Sequence, residues 1–137
     1  MDRKNFEVVV IDDDLELLDV MRFNLEEEFT VRTFTDPVAA LSYLDGHTSD
    51  AIVMDYYMGK WRAPQVYQEL KSKKHDLPVL FLTGDHDLTL KIDCLGMGVA
   101  DVLHKPISTA ELTAHIYKRI ISHRRKNSDM LRMVDGL

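Results

Sequence analysis

Five polar side chains lie at or just after the ends of short apolar runs in the sequence. They comprise three carboxylates, one hydroxyl and one ammonium group: Asp12, Asp13, Asp55, Thr83 and Lys105. If the runs are parallel strands of one sheet, their carboxyl ends meet at the same edge, where open α/β sheets bind ligands. We therefore expect these five side chains to form one site.

Three carboxylates in a small site repel one another, by roughly 4 kcal/mol per pair at about 4 Å and an effective dielectric of about 20. A hard divalent cation removes this repulsion, and an all-oxygen ligand set suits Mg²⁺ better than zinc. Such Mg²⁺ sites typically complete their shell with phosphate oxygens. Lys105 then supplies a positive charge and Thr83 a neutral donor, while one carboxylate is available as a nucleophile. The predicted product is an aspartyl phosphate.

The apolar runs that position these residues are continuous and rich in β-branched side chains. Such runs are typical of strands buried on both faces of a parallel sheet. The strong runs lie at 8–11, 51–54 and 79–82, and weaker ones at 31–34 and 102–103.

A helical pattern follows each predicted strand. Asp14 is expected to cap the first helix, and the second has Asp36 as N-cap, Pro37 at its first position and Gly46 at its end. The fifth opens at Ser108 with a capping box. The third is predicted over 63–74, and apolar spacing marks the first and fourth at Leu18, Met21 and Leu25 and at Leu88, Ile92 and Leu95. Strands alternating with helices predict a doubly wound α/β fold with a five-stranded parallel sheet.

Length and composition limit the classes of protein to consider. The chain has 137 residues, 45% hydrophobic and 29% charged, which predicts one globular domain. The net charge of −6 argues against direct nucleic-acid binding over the whole surface. The single cysteine, Cys94, suits the reducing cytoplasm. Neither a signal peptide nor a membrane segment is predicted, because no apolar stretch approaches about 18 residues.

The segments around the five polar residues resemble the receiver domain of two-component response regulators, the CheY-like family. The matching segments are VVIDDD (9–14), IVMDYYM (52–58), LTG (82–84) and LHKP (103–106). The resemblance covers residues 6 to about 121 and implies the strand order 2-1-3-4-5. It also implies a cytoplasmic signalling domain that takes a phosphoryl group from a phosphohistidine on a sensor histidine kinase or a histidine phosphotransfer protein. No turnover of an external substrate is expected from such a domain.

Carried over position by position, the resemblance makes Asp55 the phosphoacceptor. It implies that Asp13, Asp55 and the backbone carbonyl of Tyr57 bind Mg²⁺ directly and that Asp12 assists through water. Thr83 is implied to hold a phosphoryl oxygen.

The resemblance assigns the other phosphoryl oxygens to Lys105, whose bond to Pro106 is cis in such domains. Tyr57 and Asp85 flank the phosphoryl group in the family. We hypothesise that their bulk and charge obstruct attacking water and so set the lifetime of the phosphorylated state.

Some positions depart from the family pattern. Gly59 replaces the proline that commonly follows Met58, and Ala63 stands where glycine is frequent. Val102 replaces the aromatic switch residue and cannot rotate between exposed and buried positions as a ring does. Trp61 is predicted to lie in a loop near the site.

Partners and boundaries follow from the same resemblance. Residues 1–122 are predicted to form the receiver domain, and 123–137 a basic helical extension or a linker stub. The basic residues there either stabilise a helix C-terminus or contact a further module or partner. Lys91, Asp101 and Glu111 resemble a charged dimer face, which implies a homodimer through the fourth helix, fifth strand and fifth helix.

Two other functions are consistent with the residues alone. One is a phosphorylation-independent scaffold that keeps the receiver fold, and the other is a small Mg²⁺-dependent phosphohydrolase. The downstream effector is not identified by the sequence.

Overall fold

The computed structural model describes residues 5–135. Within that range the strands are β1 (Glu7–Ile11), β2 (Thr30–Phe34), β3 (Ala51–Asp55), β4 (Tyr57–Met58), β5 (Trp61–Arg62), β6 (Val79–Thr83) and β7 (Asp101–His104). The helices are α1 (Leu15–Leu25), α2 (Pro37–Gly46), α3 (Ala63–Ser72), α4 (Leu88–Gly96) and α5 (Thr109–Asp135). None of the helices in this range is long and apolar enough to cross a membrane.

The five long strands form one parallel sheet in the order β2-β1-β3-β6-β7. Because β6 and β7 are the fourth and fifth long strands, this is the predicted order 2-1-3-4-5, and the predicted fold class is confirmed. Ile11 lies opposite Met54, and Asp55 lies opposite Leu82. The carboxyl ends of the three central strands therefore meet at one edge.

Helices cover both faces of the sheet, as the continuous apolar runs predict. In β1, Val9 and Ile11 pack with α2, α3 and α4, whereas Val8 and Val10 pack with α1 and α5. All four side chains are almost completely buried. Alternate residues of one strand thus contribute to two different cores.

The predicted helix boundaries are largely confirmed. Asp14 and Asp36 cap α1 and α2 with their side chains, and the hydroxyl of Ser108 accepts a hydrogen bond from the backbone of Glu111 at 3.1 Å. The third helix was predicted to reach Lys74 but ends at Ser72. Lys74 has φ of 61°, a left-handed conformation that cannot continue an α-helix.

Helix α4 forms where its apolar spacing predicts, but that apolar stripe faces solvent. Leu88, Ile92 and Leu95 are 67%, 59% and 40% exposed, while Cys94 is the buried residue of the helix. Spacing of three and four residues identifies a helix without showing which face meets the core.

The prediction that Trp61 lies in a loop is wrong. Trp61 pairs with Met58 in a small antiparallel hairpin formed by β4 and β5, and it packs against the core. Gly59 lies in the turn with φ of +61°, a conformation that glycine adopts without steric cost. The hairpin begins two residues after Asp55 and leads directly into α3.

Helix α5 continues through the basic stretch to Asp135. Arg124 forms an ion pair with Asp50 at 2.6 Å, and its guanidinium carbon lies 4.7 Å from the centre of the Phe6 ring. His123 and Asn127 both contact Asp76. His123 and Arg124 of the basic stretch are therefore paired with the body of the fold, and the predicted boundary at residue 122 falls inside a helix. Of the predicted segment 123–137, residues 136–137 lie outside the described range.

Candidate functional site

Asp55 is the last residue of β3, the central strand of the sheet. Its side chain is 16% exposed, and its Oδ1 lies 2.9 Å from Nζ of Lys105. The strand pairs with β1 on one side and β6 on the other, so Asp55 is flanked by the residues that end both neighbours. A partly accessible carboxylate is thereby fixed at the centre of the edge.

Asp12 and Asp13 follow β1 at the same edge. The backbone N–H of Asp12 donates to the carbonyl of Phe34 at 3.1 Å, which extends the pairing with β2 by one residue. Asp12 is buried and Asp13 is exposed. One carboxylate oxygen from each of Asp12, Asp13 and Asp55 lies within 4.8 Å of the others. The structure therefore brings together the three carboxylates that the sequence predicts.

The two oxygens of Asp12 have different surroundings. Oδ1 accepts a hydrogen bond from the backbone N–H of Asp14 at 3.0 Å, whereas Oδ2 is buried and has no hydrogen-bond partner within the described part of the chain. The nearest cation, Nζ of Lys105, lies 3.8 Å from Oδ2. Burial is the main cause that raises the pKa of Asp12, and the negative charge of Asp55 raises it further, against the bond from Asp14. The fold thus holds a buried carboxylate beside two other carboxylates and one ammonium group.

The donor set fits Mg²⁺. The three side chains that could hold the ion offer carboxylate oxygens, and one of these oxygens is buried with no hydrogen-bond partner among residues 5–135. A hard cation that prefers oxygen supplies the missing partner and offsets the repulsion among the three charges. Tyr57 begins β4 two residues after Asp55, so its backbone carbonyl is close to the site along the chain.

Lys105 is positioned by the end of β7. Its backbone N–H donates to the carbonyl of Thr83 at 2.8 Å, and the bond to Pro106 is cis, as the family resemblance implies. The ammonium group contacts Asp55 and is also near Asp12. One cation therefore faces two of the three carboxylates.

Thr83 ends β6, one residue beyond the residue that pairs with Asp55. Its side chain is fully buried, and its Oγ1 accepts a hydrogen bond from the backbone of Asp85 at 3.0 Å. That bond uses a lone pair of the hydroxyl, so the hydroxyl hydrogen remains a donor.

A polar bridge crosses between the loops that follow β3 and β6. The hydroxyl of Tyr57 lies 3.5 Å from Oδ2 of Asp85, and the guanidinium carbon of Arg62 lies 4.8 Å from the centre of the Tyr57 ring. The family resemblance predicts Tyr57 and Asp85 near the site, whereas no motif in the sequence points to Arg62. Aromatic and apolar residues on both sides of the two-residue turn at Gly59 are a hairpin signal that could have located it.

Val102 is 1% exposed and packs in the core beneath α4. Because Val102 is already buried, it cannot switch from an exposed to a buried position. His104, two residues further along β7, stacks on His86 of the loop after β6. The ring centres are 4.9 Å apart, and the angle between the ring planes is 7°. Two histidines therefore form an aromatic contact between this loop and β7. The sequence patterns do not predict this contact.

Known proteins are similar to this chain in sequence. A family model described as the response regulator receiver domain matches residues 8–117. The chain is 31% identical over 121 residues to the regulatory protein VanRc of Enterococcus gallinarum, covering 88% of this chain and 52% of that protein. It is 32% identical over 114 residues to the transcriptional regulatory protein FixJ of Bradyrhizobium diazoefficiens, covering 82% and 56%. The chain thus spans about half the length of these curated relatives.

A solved structure is also similar. The receiver domain of the Francisella response regulator 1452 superimposes with a TM-score of 0.80 at 27% identity, covering 89% of this chain and 99% of that one. The family model spans far more than half of the sequence, and every one of the five polar residues at the sheet edge falls inside its match. The chain therefore belongs to the family of response regulator receiver domains of two-component signalling.

Proposed function

We propose that this receiver domain accepts a phosphoryl group on Asp55 from a phosphohistidine of a sensor histidine kinase or a histidine phosphotransfer protein. The observation that carries the proposal is the contact of Asp55 with Lys105 at 2.9 Å, beside two further carboxylates at the end of the central strands. Phosphorylation then shifts the equilibrium between two conformations of a surface that a partner recognises. The partner is an effector protein or a second copy of the chain.

The side chains divide the reaction between them. A carboxylate oxygen of Asp55 attacks phosphorus, and the P–N bond of the donor breaks as the new P–O bond forms. Lys105 exchanges its contact with Asp55 for one with a phosphoryl oxygen and neutralises charge there. The buried hydroxyl of Thr83 donates to a second oxygen. Hydrolysis by water later returns Asp55 to the free carboxylate.

Asp12, Asp13, Asp55 and the carbonyl of Tyr57 are the proposed Mg²⁺ ligands, Asp12 through water. When bound, the ion supplies charge neutralisation for the phosphoryl oxygens. Asp12 contributes a buried acceptor without a hydrogen-bond partner, which favours binding of a cation at this point. The protein's own part is to hold the ligands at the sheet edge before the donor arrives.

The donor is expected to approach along α1, which follows Asp12 and Asp13 directly. Leu15, Val20 and Phe23 of this helix are 60%, 55% and 75% exposed. Apolar residues of this size on a surface helix favour contact with another protein. We propose that the helix bearing the phosphohistidine packs there, and that the reaction takes place in the cytoplasm.

A small-molecule phosphodonor separates the candidate functions. Wild-type protein is incubated with acetyl phosphate, with Mg²⁺ or with EDTA, and the intact protein is weighed. We expect one added phosphoryl group with Mg²⁺ only. A scaffold takes up none, and a phosphohydrolase releases many equivalents of phosphate from a phosphate ester without a stable adduct. Either result contradicts the proposal.

The bridge between Tyr57 and Asp85 is expected to slow hydrolysis of the aspartyl phosphate. Replacing both residues by alanine opens the space between the two loops to water. We expect the phosphoryl group to be lost about tenfold faster, a change of about 1.4 kcal/mol in the barrier. The measurement is the decay of phosphorylated protein after the donor is removed. An unchanged rate would count against the role of these two side chains.

We propose further that phosphorylation promotes a homodimer through α4, β7 and α5. The exposed stripe Leu88, Ile92 and Leu95 supplies the apolar contact. Asp101 is already paired within the chain, with His115 at 3.0 Å and Arg119 at 3.1 Å. The stripe, rather than an ion pair of Asp101, is therefore expected to hold two copies together.

Sizing with and without beryllofluoride, a phosphoryl mimic, tests the dimer. We expect a larger species with beryllofluoride. Ile92→Ser should weaken the association at least about tenfold, because it removes an apolar side chain that the dimer would bury. Val38→Ser is a matched control, since Val38 is 51% exposed on a different helix. Two monomeric samples, or equal effects of the two substitutions, would contradict this interface.

A further inference from the structure

The hydroxyl of Tyr57 faces one carboxylate oxygen of Asp85. It reaches Oδ2 of Asp85 at 3.5 Å, a long hydrogen bond that contributes little orientation by itself. Asp85 is fixed by two bonds of its own loop, from its backbone N–H to Thr83 Oγ1 and from the N–H of Asp87 to its Oδ1. The acceptor end of the bridge is therefore positioned by its own loop, and the position of the Tyr57 ring is set by other contacts.

Arg62 supplies such a contact on the hairpin. Tyr57 and Arg62 are directly opposite each other in the pairing of β4 with β5, which places their side chains on the same face. The guanidinium carbon lies 4.8 Å from the centre of the Tyr57 ring, within the range of a cation–π interaction. The ring of Tyr56 makes an edge contact with Tyr57, with centres 4.8 Å apart.

The position of Arg62 is itself fixed. Its Nη1 donates to the carbonyls of Gly59 at 2.9 Å and Trp61 at 3.2 Å. Its backbone N–H donates to Oε1 of Gln65 at 2.8 Å, at the start of α3. The guanidinium group is thus anchored to the hairpin and the backbone of the residue to the start of α3, although Arg62 is exposed. A side chain with these anchors can restrict the motion of a ring stacked on it.

We propose that Arg62 is a positioning residue that sets the lifetime of the phosphorylated state by holding the Tyr57 ring across the gap between the loops after β3 and β6. The inference rests on the proposed function, because it concerns the same aspartyl phosphate. Arg62 acts through Tyr57 and makes no contact with the phosphoryl group. Without the guanidinium group, Tyr57 leaves Asp85 more often and water reaches the site more often.

The size of the effect follows from the strength of an exposed cation–π contact. Arg62→Gln keeps an amide that can donate to the carbonyl of Gly59 but removes the charge over the ring. We expect this variant to lose its phosphoryl group about two- to fivefold faster than wild type. Arg62→Lys keeps a cation near the ring and is expected to restore most of the lifetime.

A double-mutant cycle tests whether Arg62 acts through Tyr57. Wild type, Arg62→Gln, Tyr57→Ala and the double variant are phosphorylated with acetyl phosphate and Mg²⁺, the donor is removed, and the decay is followed by intact mass. We expect the double variant to decay at the rate of Tyr57→Ala alone, because the ring on which Arg62 acts is already absent. Lys60→Ala is the control for loss of a neighbouring positive charge, and it is expected to decay as wild type does.

The outcomes are distinct. The inference would be overturned if Arg62→Gln lost its phosphoryl group at the wild-type rate. It would also be overturned if Arg62→Gln accelerated the loss by the same factor in Tyr57→Ala as in wild type. An acceleration by Arg62→Lys as large as that by Arg62→Gln would overturn it as well. If wild type takes up no phosphoryl group at all, the proposed function itself fails, and that result is visible before any decay is measured. Thermal unfolding of each variant identifies loss of the fold.

Discussion

Asp55→Asn is expected to abolish uptake of a phosphoryl group from acetyl phosphate. The amide of asparagine is not a nucleophile, so the rate should fall by at least about a thousandfold, the scale typical of removing a catalytic nucleophile. The substitution preserves the size of the side chain and removes one of three crowded negative charges, so the fold should remain intact. Intact mass after incubation with Mg²⁺ and the donor measures the effect.

Asp14→Asn is the matched control for this experiment. Asp14 is another carboxylate next to the site, but its side chain caps α1 by accepting from the backbone of Leu17 at 3.2 Å. Asparagine is an equally good N-cap. Asp14→Asn should therefore take up the phosphoryl group as wild type does. Phosphorylation of Asp55→Asn at the wild-type rate would show that another residue is the acceptor.

The sequence is sufficient to predict the fold and the edge at which the five polar residues meet. The central strands β1, β3 and β6 are buried on both faces, as Val8 and Val9 illustrate by packing in opposite cores, so these strands appear as continuous apolar runs. Parallel strands connected by helices must end at the same edge. The positions of Asp12 and Asp55 then follow from the ends of their strands.

Features that depend on tertiary packing could not be read from local patterns. The stripe Leu88, Ile92 and Leu95 has the spacing of a core face, yet α4 packs against the core through Cys94 and Leu90. The stacking of His86 on His104 joins residues that are distant in sequence. In the hairpin, the partner of Tyr57 is defined only once the turn at Gly59 is known.

Asp12→Asn is expected to stabilise the ion-free protein by about 1–2 kcal/mol at pH 7. The substitution removes a buried charge that lies near two other carboxylates, and asparagine retains an oxygen that can accept from the backbone of Asp14. Urea unfolding of both proteins in EDTA measures the difference. This gain is the reverse of the usual effect of a core substitution.

The same gain should depend on pH. The pKa of Asp12 is raised in the fold, chiefly by burial, so the folded state binds the proton more tightly than the unfolded state. Wild type therefore recovers stability relative to Asp12→Asn as the pH falls through that raised pKa. We expect the advantage of the variant in EDTA to shrink as the pH is lowered from neutral to the most acidic pH at which both proteins are still folded. A constant advantage would show that the charge of Asp12 is not its cause.

Mg²⁺ should make wild type more stable than Asp12→Asn, the reverse of their order in EDTA. A ligand that binds only the folded state stabilises wild type by about 2.7 kcal/mol at a concentration a hundred times its Kd. Asp12→Asn lacks a charge that favours binding of the ion, so Mg²⁺ should stabilise this variant much less. Asp14→Asn should be stabilised by Mg²⁺ as much as wild type is. Equal stabilisation of wild type and Asp12→Asn would mean that Asp12 does not contribute to binding. The buried, unpaired oxygen of Asp12 would then need another explanation.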